Sequence, residues 1–207
     1  MLEIMLLVLS VSIDSFLASI AYGTNKIKIP LSSAFIIDII SSSMLGLSLI
    51  VGGLIQNYIS TSIARIISFF ILFLLGVYRL FESLLKSYIK TKLNNSSHLN
   101  FKLFNFNFVL QVYVDETKAD FDKSKILTSK EALYLALALS LDSLAVGFGS
   151  SLVLINYFQV FVLAIFIGLI SIILGSFIGK KLVENININL SWLSGALLII
   201  LAFLRAF

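Results

Sequence analysis

The chain is predicted to be an all-α membrane protein. Six transmembrane helices form two inverted three-helix repeats, joined by a short strand-like cytoplasmic linker. Three observations lead there. Hydrophobic residues fill 59% of the 207 positions and charged residues 13%, with a mean hydropathy of +1.05, outside soluble averages. Six apolar stretches, residues 2–22, 33–55, 62–85, 131–151, 157–179 and 191–206, read as long enough to span a hydrocarbon core, which takes ~20 residues per helix. Two of them, the first and fourth, carry an aspartate in near-identical settings: Ser12-Ile13-Asp14-Ser15 and Ser140-Leu141-Asp142-Ser143.

The first stretch reads as a span and not as a cleavable signal, because it lacks a basic n-region, carries Asp14 in its apolar run and has an internal counterpart. Glu3 and Glu131 precede the two aspartates by the same distance, and small residues follow each at the same offset, Ala18-Ser19-Ile20-Ala21 and Val146-Gly147-Phe148-Gly149. At 3.6 residues per turn, Asp14 shares a face with Ser10, Ser15, Ala18, Ser19, Ala21 and Tyr22, opposite Leu9, Ile13, Phe16 and Ile20. The fourth stretch repeats this, with Ala138, Asp142, Ser143, Val146, Gly147, Gly149 and Ser150 against Leu137, Leu141, Leu144 and Phe148. Small residues let helices approach closely. A packing seam explains the small residues but leaves a carboxylate in each seam unexplained, and acids at bilayer depth point to function.

Asp38 lies about one and a half turns inside the second stretch. It reads either as a side chain reaching interfacial water or a lysine, or as a group at the entrance of a path. In the third stretch Arg79 and Glu82 share a face three residues apart and read as an interfacial ion pair. Arg65 and Arg205, near the outer ends, are expected to snorkel.

Lysines set the orientation. Lys26 and Lys28 follow the first stretch, eight lysines from Lys86 to Lys130 lie in the central linker, and Lys180 and Lys181 follow the fifth. The opposite connections, residues 56–61 and 152–156, carry none. The lysine-bearing loops are therefore expected in the cytoplasm and both termini outside. Each half then has an odd number of spans, so the second enters from the opposite side, the plan of many secondary transporters. Asp14 lies about 18 Å from the outer end of its helix and Asp142 about 16 Å from the inner end of its own, so both reach the middle of a core about 30 Å thick. The organisation is a first membrane repeat over 1–85, a linker over 86–130 and a second repeat over 131–207.

In the linker, Phe104 to Val114 alternate apolar and polar residues, which predicts a strand packed on the bundle or against another copy in a homo-oligomer. The Lys86–Asn100 stretch before it reads as a polar flexible connector. Further on, Asp120, Asp122, Ser124, Thr128 and Glu131 stand at positions 1, 3, 5, 9 and 12 of an EF-hand-like loop. Lys125 replaces the glycine of position 6, and no helix is expected before the loop. The other reading of its end, Thr128-Ser129-Lys130-Glu131, is a capping box that opens the fourth helix.

Chemistry narrows accordingly. The chain has no cysteine, so thiolate and disulfide chemistry are excluded; its one histidine, His98, cannot build a zinc cluster. The pI near 9.3 reflects loop lysines and needs no nucleic-acid partner. No P-loop supplies an ATP motor. Asp14 and Asp142 with the hydroxyls of Ser15 and Ser143 make a hard-oxygen set suited to Mg, Ca or Mn. Such an ion would be substrate, not a resident cofactor, and the expected partners are a divalent ion and the lipid bilayer. An intramembrane aspartyl protease would also use two aspartates, but neither follows a Gly-x-Gly sequence, so no enzymatic activity is expected.

The two aspartate motifs, the second running Ala138-Leu139-Ser140-Leu141-Asp142-Ser143-Leu144-Ala145-Val146-Gly147, resemble those of MntP-type manganese efflux pumps. Leu174-Gly175-Ser176-Phe177-Ile178-Gly179 and Gly76-Val77-Tyr78-Arg79 followed by Glu82 are similar to that family's fifth and third helices. Lys26-Ile27-Lys28-Ile29-Pro30 and Thr117-Lys118-Ala119-Asp120-Phe121-Asp122-Lys123-Ser124 resemble instead YtaF-type sporulation membrane proteins, relatives of the pumps. The resemblance implies a multi-pass protein of a bacterial cell membrane, with Asp14 and Asp142 as metal-binding acids and manganese as substrate. Where the pumps carry a further acid in the second helix, this chain has Ser41-Ser42-Ser43, which leaves a non-transporting sporulation protein of the same fold as the alternative.

Overall fold

The computed structural model describes residues 1–93, 109, 111–113, 115–153, 156–181 and 191–206, with the side chains of 82–93 and 191–192 left aside. Its long elements are α1 (Leu2–Thr24), α2 (Leu31–Gln56), α3 (Thr61–Leu93), α4 (Ser129–Ser151), α5 (Tyr157–Lys181) and α6 (Ser191–Ala206), with a 3-10 turn, Glu116–Ala119, before α4. α1, α2, α4, α5 and the Thr61–Phe81 part of α3 are each long and apolar enough to cross a bilayer. α6, with 16 residues, is shorter. The chain is a multi-pass, all-helical membrane protein. Among the described residues there is no strand, only an isolated parallel bridge between Lys28 and Ile126.

Local chemistry sets the ends of the helices. Pro30, extended at φ −62° and ψ 153°, precedes α2, where its missing N–H costs nothing. α1 closes through Lys26 at φ 59°, a left-handed residue of the kind that ends helices. Thr128 and Glu131 form the expected capping box at the start of α4, each side chain satisfying the other's backbone N–H.

The helices pair across the two halves of the chain. α1 packs along α5, α2 along α4, and α3 along α6. Glycines make the approach possible. A Cβ on Gly179 would collide with the backbone of Ile20, and one on Gly23 with the backbone of Ser176 and Gly179. Gly76 and Gly195 stand in the same relation between α3 and α6. In lipid, where apolar burial drives little, such close van der Waals packing and interhelical hydrogen bonds hold helices together. The Ser48 hydroxyl donates to the Leu144 carbonyl from α2 to α4, Ser68 to Gly149 at 2.6 Å from α3 to α4, and Ser194 to Ser10 at 3.0 Å from α6 to α1.

Two apolar clusters fill the interior. One gathers Ala18, Tyr22, Ile37, Leu135 and Leu139 with Ile27, Val112, Ala119 and Leu127 of the connecting segments. The other gathers Leu7, Val8, Leu45, Leu49, Leu72, Val146, Leu198 and Leu201. Outside, Phe35, Leu47, Leu54, Phe70, Leu74, Phe166 and Phe177 are exposed, an apolar surface that matches lipid. The predicted faces hold: Ser10, Ser15, Ala18, Ser19 and Tyr22 are buried with Asp14 while Leu9 is exposed, and Ser143, Val146 and Ser150 are buried while Leu141 is exposed. Ile20 departs, buried where α5 crosses α1 at Gly179.

The linker corrects several expectations. α3 continues to Leu93, so Lys86 to Leu93 are helical instead of a flexible connector. Residues 94–108, which include the first five of the eleven residues of the expected strand, lie outside the described residues. The described end of that segment, Val109 and 111–113, is helical, not extended. Val112 is fully buried, and Val109 and Tyr113 pack against the same cluster, a three-to-four-residue spacing that suits a helix. The loop at Asp120 is thus preceded by helical turns, contrary to the expectation from sequence.

Candidate functional site between the two halves

Asp14 and Asp142 approach one guanidinium. Both oxygens of Asp14 accept from Arg79, Nη1 to Oδ1 and Nη2 to Oδ2, in a bidentate fork. Arg79 Nη2 also lies 2.9 Å from Asp142 Oδ2. The arginine stands near the inner end of its span by sequence, but a helical side chain leans toward its own N-terminus, here toward the middle of the bundle. It therefore corrects one reading: Arg79 is buried between the halves instead of sitting at the interface, and it reaches both aspartates; the expected pairing with Glu82 falls on a side chain outside the described residues. The signal that could have found it is the need of two deep carboxylates for a counter-charge.

The site sits between the two apolar clusters. Along α1, Leu7 and Val8 belong to one and Ala18 and Tyr22 to the other; along α4, Leu139 and Val146 flank Asp142 in the same way. Ser15 and Ser143, each adjacent to its aspartate, are buried. From the linker, the Tyr113 hydroxyl donates to Asp142 Oδ1 at 3.1 Å and lies 3.3 Å from the Tyr78 hydroxyl. Sequence reasoning missed Tyr113, because it placed this residue in a strand away from the membrane interior. With both acids ionised, the triad carries one net negative charge in a water-poor setting, where charges are costly unless paired.

Asp38 does not reach the surface. It is 3% exposed, and a Cβ on Gly168 of α5 would collide with its Oδ1. Its Oδ2 and the Ser41 hydroxyl, one turn away, are buried without a hydrogen-bond partner. The interfacial reading of Asp38 is thereby corrected: the glycine opposite leaves room for the carboxyl inside the α2–α5 seam. Arg205 is also buried and not snorkelling. It donates to the Ser150 carbonyl at 2.5 Å and pairs with Glu3 at 3.3 Å, tying α6 to the ends of α4 and α1.

The loop before α4 brings Asp120, Asp122 and Glu131 together, with one ligand-type oxygen of each within 4.8 Å of the others. Ser124 N–H donates to Asp122 Oδ1 at 2.8 Å and Lys125 N–H to Asp120 Oδ2 at 3.3 Å. Burial, then the charge of Glu131, pushes the Asp120 carboxyl above its usual range, while the Ser124 N–H holds exposed Asp122 below it.

Comparison with known proteins agrees with this architecture. A family model described as "Putative manganese efflux pump" (MntP) matches residues 103–204. The chain is 28% identical over 153 residues to the "Probable sporulation protein YtaF" of Bacillus subtilis (strain 168), covering 73% of each chain. No solved structure matches. The chain is thus a multi-pass membrane protein similar to the MntP-type manganese efflux pumps through its second half, and to a YtaF-type sporulation protein through most of its length.

Proposed function

We propose that the protein is a secondary transporter for a divalent cation, manganese by family likeness, and that Asp14 and Asp142 are the acids that hold the ion. The observation that carries this reading is their convergence from opposite halves of the chain onto one buried guanidinium. The exchanged pairing of the helices, first with second and second with first, supports an inverted repeat with six spans. Ser15 and Ser143 would add hydroxyl oxygens to the carboxylates, a donor set for a hard cation.

Arg79 gives the site its switch. A cation entering between the carboxylates must displace the guanidinium from at least one of them, so ion and arginine compete for the same charge. When the ion leaves, Arg79 returns and the carboxylates are never left facing each other unpaired. Tyr113 and Tyr78 lie over Asp142 on the linker side, where movement of the linker would open or close access. Asp38 and Ser41, buried with unused oxygens in the α2–α5 seam, fit a second station on the path of the ion. The lysine-bearing loops face the cytoplasm in this reading, both termini lie outside, and the membrane is a bacterial cell membrane, as the family resemblance implies.

A second reading has a specific observation in its favour. The two acids already have a counter-ion, and Ser41-Ser42-Ser43 offers no acid in the second helix, which suits a sporulation-associated membrane protein that keeps the triad as a structural staple. Flux of Mn²⁺, Mg²⁺, Ca²⁺ and Fe²⁺ into vesicles bearing the purified protein, with and without a proton gradient, separates them. Manganese movement above that of protein-free vesicles is expected for the transporter. No movement of any of the four ions would leave the structural reading.

A further inference from the structure

We infer that the loop before α4 is a second cation site, outside the membrane, in which Asp120, Asp122 and Glu131 take a hard divalent cation such as Ca²⁺ or Mn²⁺. Three carboxylates with ligand-type oxygens within 4.8 Å repel one another unless something positive sits among them. Acidic loops can share such strain with solvent, but in this one only Asp122 is exposed. Asp120 is 9% exposed and Glu131 fully buried. Asp120 Oδ1 is buried with no hydrogen-bond partner, an oxygen held ready and unused. Leaving a buried carboxylate oxygen unpaired is costly, and a cation relieves that cost directly.

Glu131 is compatible with both of its duties. Its Oε2 accepts from the N–H and hydroxyl of Thr128, at 2.8 and 2.7 Å, which completes the capping box. Its Oε1 accepts one bond, from Phe121 N–H at 3.1 Å, and keeps a lone pair for a metal. The loop is anchored on both sides: Lys28 N–H donates to the Lys125 carbonyl at 2.8 Å, Leu127 N–H to the Lys28 carbonyl at 2.9 Å, and Leu127 is fully buried. Lys125 holds the turn at φ 60° although it is not glycine, which places strain and a positive charge beside the carboxylates. All-oxygen donors select hard ions over zinc or copper. The site stands apart from the membrane acids, so it holds whether or not the chain transports.

The test uses the protein in detergent carrying Asp142→Asn, which breaks the membrane pair while Arg79 keeps Asp14. Ca²⁺, Mg²⁺ and Mn²⁺ are titrated separately by calorimetry, with Mn²⁺ checked by electron paramagnetic resonance. One site is expected. Asp122→Asn, a change at an exposed side chain, should weaken it at least tenfold while leaving cation-free thermal unfolding in place. Lys125→Gly should tighten it, by removing both a charge and an unfavourable backbone angle. Equal affinity with and without Asp122→Asn would overturn the site, as would a folded Lys125→Gly protein that binds no tighter.

Discussion

Arg79 is the residue on which the membrane site turns. Removing it takes the guanidinium from both Asp14 and Asp142, whereas removing Asp14 keeps the Arg79–Asp142 contact. Breaking a buried ionic network by deleting the shared partner costs about 3–5 kcal/mol. Losing one of two acceptors costs about 1–3 kcal/mol. Arg79→Met should therefore destabilise the protein more than Asp14→Asn in a detergent unfolding series. Equal losses, or the reverse order, would show that the guanidinium does not bridge the acids. The sequence told of the aspartates because two carboxylates in apolar runs stand out against their neighbours. It hid Arg79, because a cation near lysine-rich loops looks interfacial until the direction of its side chain is known.

At the scale of elements, close approach between helices depends on a few glycines. Gly179 faces the backbone of Ile20 and Gly23, which cannot move aside, whereas a Cβ on Gly46 would meet only the Phe161 ring at 3.2 Å. Gly179→Ala should cost about 1–3 kcal/mol, the usual range for overpacking. Gly46→Ala should cost less, because a ring can turn. Thermal unfolding of the two variants decides it; a Gly46→Ala loss as large as that of Gly179→Ala would contradict the α1–α5 packing. The helices themselves were legible from apolar length, and the faces of α1 and α4 from the positions of serine, alanine and glycine. The linker was not. Alternation from Phe104 to Val114 suggested a strand, but Val109, Val112 and Tyr113 also share a helical face, and packing into the cluster that holds Tyr22 and Ala119 decides for the helix at that end. The acidic loop was half legible: its oxygens showed in the spacing, while a lysine where glycine was expected concealed that the backbone still makes the turn.

For the whole molecule, orientation is the expectation most open to direct test. The chain has no cysteine, so single introduced thiols report sidedness without background. Lys26→Cys should react with a membrane-impermeant maleimide only in inside-out vesicles, and Asn57→Cys only in right-side-out ones. The opposite pattern would invert the topology. The bundle also joins its two proposed ion-handling regions through one element: α4 carries Asp142 in its middle and Glu131 in its first turn. Transport in this reading depends on the pair of acids. That dependence is tested most directly by manganese flux into vesicles containing wild-type protein or Asp142→Asn at equal incorporation. Flux is expected in the wild type and none above background in the variant. Equal flux from the two proteins would contradict it.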